Sequence, residues 1–222
     1  MMLSLSAKHY TFSGGEGSVG QKIAAKILKK AYEQAAISVS FEFKSFQQSL
    51  IDSNSGLNDG EISRVDEISN KFPNLIKIPV PIMSVDAVVF SKDTSIELSS
   101  WADLKGRDFM VIRGTKFIEK ATKGYSKSYA DTFDEAMRSL HKGKVDMVVV
   151  PKIGGVYSIY ENGYKDIHIV SLSLQSLALY HFVHKKNRDL ISKVTPFLEK
   201  MQRESKMRSI KEKYLMSTLH NR

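Results

Sequence analysis

A few residues in this chain have the types and spacing to do chemistry, and most of them favour binding over catalysis. Arg64 follows the turn Asn58-Asp59-Gly60, in a segment that also carries Glu61 and Ser63. Asn and Asp tolerate left-handed backbone angles and Gly adopts them freely, so the turn is local. An arginine just beyond such a turn, at the end of a strand-helix unit, stands where α/β proteins place ligand-contacting groups. Glu61 and Asp86 are the carboxylates that acid-base chemistry could recruit. No nucleophile with its base and orienting group accompanies them, so enzymatic activity is not expected. The glycine loop Gly14-Gly15-Glu16-Gly17-Ser18 between a strand and a helix could cradle an anion with its N–H groups, but it lacks the Lys-Ser/Thr of a nucleotide-binding loop. The six histidines show no ligand spacing, and His181 and His184, three apart on a predicted strand, face opposite sides. Neither a metal nor a cofactor is expected.

Composition narrows the classes further. The chain has 222 residues, 42% of them hydrophobic, enough for one large core or two lobes. Lys plus Arg number 33 against 24 for Asp plus Glu, a net charge of +9. That balance suits anionic partners, yet the charge is spread along the chain and densest over Lys200–Lys213 at helical spacing, which reads as a solvated helix face and not as a nucleic-acid footprint. Cysteine is absent, which removes disulfides, zinc thiolate sites and thiol catalysis together. No apolar run reaches membrane-spanning length. Met1–Ala7 is too short for a signal peptide and reads as a start left after a signal was removed.

The elements that must position these groups alternate. Tyr10–Ser13 reads as a strand, Val19–Ala36 as a helix with Ile23, Ile27, Leu28 and Ala31 on one face, and Val39–Phe43 as a strand. Ser45–Ser53 reads as a helix with Phe46, Leu50 and Ile51 inward. Leu75–Pro81 alternates like a strand, but Pro79 and Pro81 donate no hydrogen bond, which predicts an edge position or departure from the sheet. Val85–Phe90 is a further strand, Ser99–Gly106 a capped short helix, Phe109–Arg113 a strand, and Gly114-Thr115 the start of a helix at Lys116. Thr132–Leu140 is a helix, Val145–Val150 a buried strand, Pro151–Gly155 a loop, Val156–Tyr160 a helix, Ile167–Leu174 and Tyr180–His184 strands, and the rest from Arg188 helical. Such alternation predicts a mostly parallel sheet with helices on its faces. Two units in succession predict two lobes, with crossings at Ser84–Val88 and Leu177–His181: residues 1–86 with 181–222, and residues 87–180.

In this order, Asp59-Gly60-Glu61 with Arg64, Pro73-Asn74-Leu75, Trp101-Ala102-Asp103-Leu104-Lys105-Gly106, Val111-Ile112-Arg113-Gly114-Thr115, Gly143-Lys144-Val145-Asp146 and Lys185–Leu190 resemble the bacterial family 3 extracellular solute-binding proteins. These are the polar amino-acid-type receptors of ABC importers, and the resemblance covers nearly the whole chain. It implies a type II periplasmic binding protein fold, two α/β lobes joined by two hinge strands. It further implies a monomer in the periplasm that captures a small anionic or zwitterionic solute and presents it to an ABC permease in the inner membrane. The ligand-sensing domain of a signalling receptor is the alternative. Carried over residue by residue, the Gly114 and Thr115 amides would meet the ligand carboxylate with Arg113 alongside. Arg64 would stand in for the carboxylate-binding arginine, which the family places some residues later. Tyr10 or Phe12 would stack on the ligand, and Ser13, Glu61 and Ser84 complete the expected set. Where the family often has an aspartate for the ligand ammonium, this chain has Pro151-Lys152, and a lysine repels an ammonium.

Overall fold

A computed structural model describes residues 8–219. The start Met1–Ala7 lies outside the described residues, as does the end of the polar Ser217–Arg222 stretch. The chain opens with β1 (His9–Gly15), α1 (Val19–Gln34), β2 (Ser38–Lys44), α2 (Phe46–Ser55) and β3 (Gly60–Val65). Ser18 starts α1 by accepting the Gln21 N–H at 3.3 Å, and Ile23, Ile27, Leu28 and Ala31 bury the face that the periodicity predicts. β1 lies between β2 and β3, parallel to both. The second group comprises β5 (Met110–Ile112), α3 (Lys116–Ala121), β6 (Ser128–Ala130), α4 (Phe133–His141), β7 (Met147–Pro151) and α5 (Lys152–Asn162), with β5 parallel to β6 and β7.

Two strands run through both groups. β4 (Leu75–Ser91) and β9 (Gln175–His184) pair antiparallel from Leu75–His184 to Ala87–Gln175. β9 also pairs with β3, while the far end of β4 pairs with β7 and with the short β8 (His168–Ile169). The strand order is β2-β1-β3-β9-β4-β7-β5-β6, so the sheet is mixed where a mostly parallel one was expected. The first part of β4 has β9 on one side only, and the ladder shifts register between Lys77 and Met83, around the prolines that donate nothing. It does not end there. It continues through Val85–Phe90 as one strand of 17 residues. α6 (Asp189–Arg203) and α7 (Lys206–Leu219) return to pack on α1.

Several local expectations need correction. Ile51 is exposed, because the inward face of α2 is Phe46, Ser49, Leu50 and Ser53. The Pro151–Gly155 loop is helix from Lys152 onward. Gly154 and Gly155 lie inside α5 because a Cβ there would enter the rings of Phe133 and Phe90. The Ser99–Gly106 helix is a single 3₁₀ turn, Trp101–Leu104, closed by a Ser100–Asp103 capping box, and only His168–Ile169 of Ile167–Leu174 is strand.

Buried apolar residues follow the same division. Phe12, Ile23, Tyr32, Ile62, Val183 and Leu198 fill the space under α1, α6 and α7. Phe90, Ile112, Phe133, Met137, Val148 and Val150 fill the second group. A third set on the other face, including Val65, Val89, Val149 and Phe182, draws on both.

Candidate functional site

The two groups of strands face each other across a cleft with an empty volume of about 680 Å³, its open mouth included. One wall carries Gln21, Phe46, Ser63 and Arg64. The opposite wall carries Thr115, Lys116 and Phe117 with Lys152 and Gly154. Met83, Ser84 and Asp86 of β4 run between them.

The first wall is built on a buried ion pair. Glu61 is fully buried and accepts from Ser49 Oγ at 2.6 Å and from Arg64 Nε at 2.6 Å. Arg64 Nη2 donates to the Phe46 carbonyl at 2.8 Å, and the guanidinium lies 5.0 Å from the Phe46 ring centroid. Desolvating two charges is repaid only when geometry and extra hydrogen bonds are good, which this network supplies. Behind it, His181 Nδ1–H donates to the Glu61 carbonyl at 2.7 Å and Nε2 accepts from Tyr32 Oη at 2.8 Å. Burial holds the His181 pKa down at about 4. Arg64 thus lines the cleft as expected, with its charge already balanced by Glu61 and its Nη1 without a protein acceptor among the described residues.

The second wall departs from expectation. The Gly114 N–H donates to Glu119 Oε1 at 2.7 Å, and Lys116 Nζ holds Oε2 of the same carboxylate at 2.7 Å. The Thr115 N–H donates to the Ile112 carbonyl at 3.1 Å. Neither amide is free for a ligand carboxylate, because the chain supplies its own acceptors. Gly114 serves packing instead. At φ +84°, a Cβ would stand 2.6 Å from the Gln47 nitrogen and 2.8 Å from Phe46, so α2 of the first group rests directly on this turn. Arg113 is exposed, pairs with Asp131 at 3.2 Å, lies 4.8 Å from the Tyr129 ring centroid and does not line the cleft.

β1 also lies away from the cleft. Tyr10 and Phe12 are buried in the core under α1, where Phe12 meets the His181 ring edge-on at 4.6 Å, so neither can cover a ligand. Ser13 faces α2 and bonds Ser49 Oγ at 3.0 Å and Ser53 Oγ at 2.9 Å. The strand's alternation shows two faces but not which one a long-range neighbour occupies.

Arg64, Gly114, Thr115, Ser84 and Lys152 are brought together along the cleft, with Glu61 behind them. Ser63, Phe46, Phe117 and Asp86 join them without having been expected as ligand contacts. Ser63 is adjacent to Arg64 on β3, the one signal that could have found it. The hydroxyls of Ser63 and Thr115, on opposite walls, are buried and make no hydrogen bond among the described residues. Such groups are costly unless something pairs with them. Asp86 and Lys152 each flank the Ala87–Pro151 rung, and neither has an ion-pair or hydrogen-bond partner among the described residues.

No protein-family model and no curated relative matches the chain. Solved structures do. A histidine kinase sensor domain with similarity to periplasmic binding proteins matches at TM-score 0.81 and 19% identity, over 94% of this chain and 96% of that one. The GluR0 ligand-binding core in complex with L-glutamate matches at 0.80 and 16%, over 95% and 99%. The amino-acid ABC transporter substrate-binding protein AbpA of Streptococcus pneumoniae, bound to L-arginine, matches at 0.77 and 16%, over 96% and 97%. Together with the two crossing strands, these likenesses establish that the chain has the type II periplasmic binding protein fold, with β4 and β9 as the two strands joining its α/β lobes.

Proposed function

We propose that the protein is a receptor for a small polar, carboxylate-bearing solute, an amino acid or related organic acid, which it captures by closing its lobes (residues 1–86 with 181–222, and 87–180) about β4 and β9. One observation carries this reading: Ser63 and Thr115 bring buried, unpartnered hydroxyls to the cleft from opposite lobes, beside Arg64. A carboxylate between them would accept both hydroxyls and the Arg64 Nη1–H, and charge-assisted hydrogen bonds strengthen once water is excluded. Phe46 and Phe117 would cover its apolar part. Asp86 would accept an ammonium from the solute, offsetting the repulsion of Lys152 at the position where the resemblance calls for an aspartate. Neighbours of the same fold bind L-arginine and L-glutamate, which supports an amino acid. In this reading the protein works as a monomer in the periplasm and delivers its solute to an inner-membrane ABC permease.

Calorimetry with L-arginine, L-glutamine, L-glutamate, agmatine and glutarate tests it. Ser63→Ala and Thr115→Val each lower the affinity of the amino acid bound by roughly 10- to 100-fold, the cost of a hydrogen bond to a charged group. Asp86→Asn weakens that amino acid and spares glutarate. Affinity unchanged in all three variants removes the site, and wild-type protein that binds none of the probes removes the solute class. A second reading, the sensing domain of a signalling receptor, is favoured by the histidine kinase sensor domain among the similar structures. It keeps the same site and differs in what closure reports to.

A further inference from the structure

Positive charge without a carboxylate partner gathers on the outer helices of the first lobe. α1, α6 and α7 pack on one another along the outside of the first lobe. Every acidic residue of these helices and of the turn joining α6 to α7 is engaged by a basic residue of the same segment. Glu33 is paired with Lys30, Asp189 with Lys193, Glu199 with Arg203, Glu204 with Lys200 and Glu212 with Arg208, at 2.7 to 4.0 Å. Lys22, Lys26 and Lys29 of α1, and Lys206, Lys211 and Lys213 of α7, have no carboxylate partner among the described residues.

Their placement is regular. Lys22, Lys26 and Lys29 recur at i, i+4 and i+7, one exposed stripe of α1, and Lys206 and Lys213 share a stripe of α7. Lys26 Nζ stands 5.5 Å from the Tyr214 ring centroid, which joins the two stripes into one surface. In the cleft, by contrast, two of the three lining cations, Arg64 and Lys116, are each tied to a glutamate.

We infer that this α1–α7 lysine face docks the protein on an anionic phospholipid surface. The chemistry of the unpaired cations selects the partner. Both arginines of the face, Arg203 and Arg208, are held by glutamates, and the cations left over are all lysines. Recognition of carboxylates on a protein partner favours the fixed, bidentate fork of arginine, whereas mobile ammonium groups spread over two helices suit the diffuse field of a charged headgroup layer. Nucleic acid presents phosphates as well, but single strands call for exposed aromatic platforms, and the described part of this face has none: Tyr214 is half-buried under Lys26.

The test is flotation of the full chain with phosphatidylcholine vesicles, with and without phosphatidylglycerol, over a salt series. Binding should require phosphatidylglycerol and fall as salt rises. The triple variant Lys22→Gln, Lys26→Gln, Lys29→Gln should lower the partition coefficient roughly a hundred-fold. The triple variant Lys105→Gln, Lys123→Gln, Lys144→Gln removes the same charge from exposed sites on the second lobe and should change it by much less. Equal losses in the two triples would reduce the effect to net charge and overturn the docking face. Lack of binding to phosphatidylglycerol vesicles at low salt would overturn it too. Tighter binding to a DNA duplex, lost in the first triple, would reassign the face to nucleic acid. Both triples change only exposed side chains, and circular dichroism of each confirms that the fold is retained.

Discussion

The two walls of the cleft solve the same electrostatic problem in different ways. On the first, Arg64 and Glu61 are buried side by side, and Ser49, the Phe46 carbonyl and the Phe46 ring complete the pair. On the second, Lys116 and Glu119 pair at 28% and 20% side-chain exposure, with the Gly114 amide as third member. Each wall carries a cation paired with its own glutamate, and Lys152 on the second wall is the cation of the lining left without a partner among the described residues. The difference lies in what depends on the pair. Removing one partner of a buried pair strands a charge in low dielectric, whereas a pair open to solvent can be rehydrated. The first wall is therefore a structural part of its lobe and the second an adjustable lining.

Mutations can break that contrast. The largest effect expected is from Glu61→Ala, which leaves Arg64 buried and unpaired and should cost about 3–5 kcal/mol in chemical denaturation. A loss below that of Glu119→Ala would reverse the ranking of the walls. Arg64→Ala strands Glu61 in the same way, so it is a poor probe of ligand contact.

The next effect is on pH. His181 is held neutral behind the first wall, with its pKa lowered by burial to about 4 from 6.5. Its folded value lies below the unfolded one, so the unfolded chain binds more protons between them. Stability is then full above about pH 6.5 and declines as pH falls toward 4, by up to about 3 kcal/mol. His184, lowered by burial and by Lys186 and Lys185, acts in the same direction. Thermal melts across this range in the wild type and His181→Asn measure the share of His181, and identical slopes in both would assign the decline elsewhere.

Glu119→Ala ranks third, at about 1 kcal/mol, since it removes a half-buried pair that water can still reach and one amide bond. It also frees the Gly114 N–H, so a solute carboxylate should bind tighter in this variant, which calorimetry would read. Arg113→Ala comes last: its pair with Asp131 is exposed, and the expected change is within about 0.5 kcal/mol in stability, with ligand affinity unaffected.

Much of the fold could be read from local signals. Ser18 before a 3.6-residue period marked α1, Thr132 marked α4, and the prolines of β4 marked where its ladder is interrupted. The misreadings share one cause, dependence on a distant neighbour. Gly154 and Gly155 look like a loop until Phe133 and Phe90 are seen against them. Tyr10 and Phe12 look like ligand aromatics until α1 covers them. The site was legible to the extent that its chemistry was adjacent in sequence. Arg64 announced itself through the turn before it, but the glutamate that claims the Gly114 amide, and the placing of Asp86 and Lys152 beside the Ala87–Pro151 rung, exist only once strands and turns are brought together.

One feature of the ladder reaches beyond binding. Ala87 and Gln175 face each other as partners in register, so everything between them leaves and rejoins the two crossing strands at a single rung. The intervening segment is an insertion with adjoining ends, packed partly on a core of its own and partly on a set shared with the first group. Lengthening or shortening it need not disturb the strand order on the other side. One side of the cleft lining can thus vary as a cassette while the other side keeps its registration.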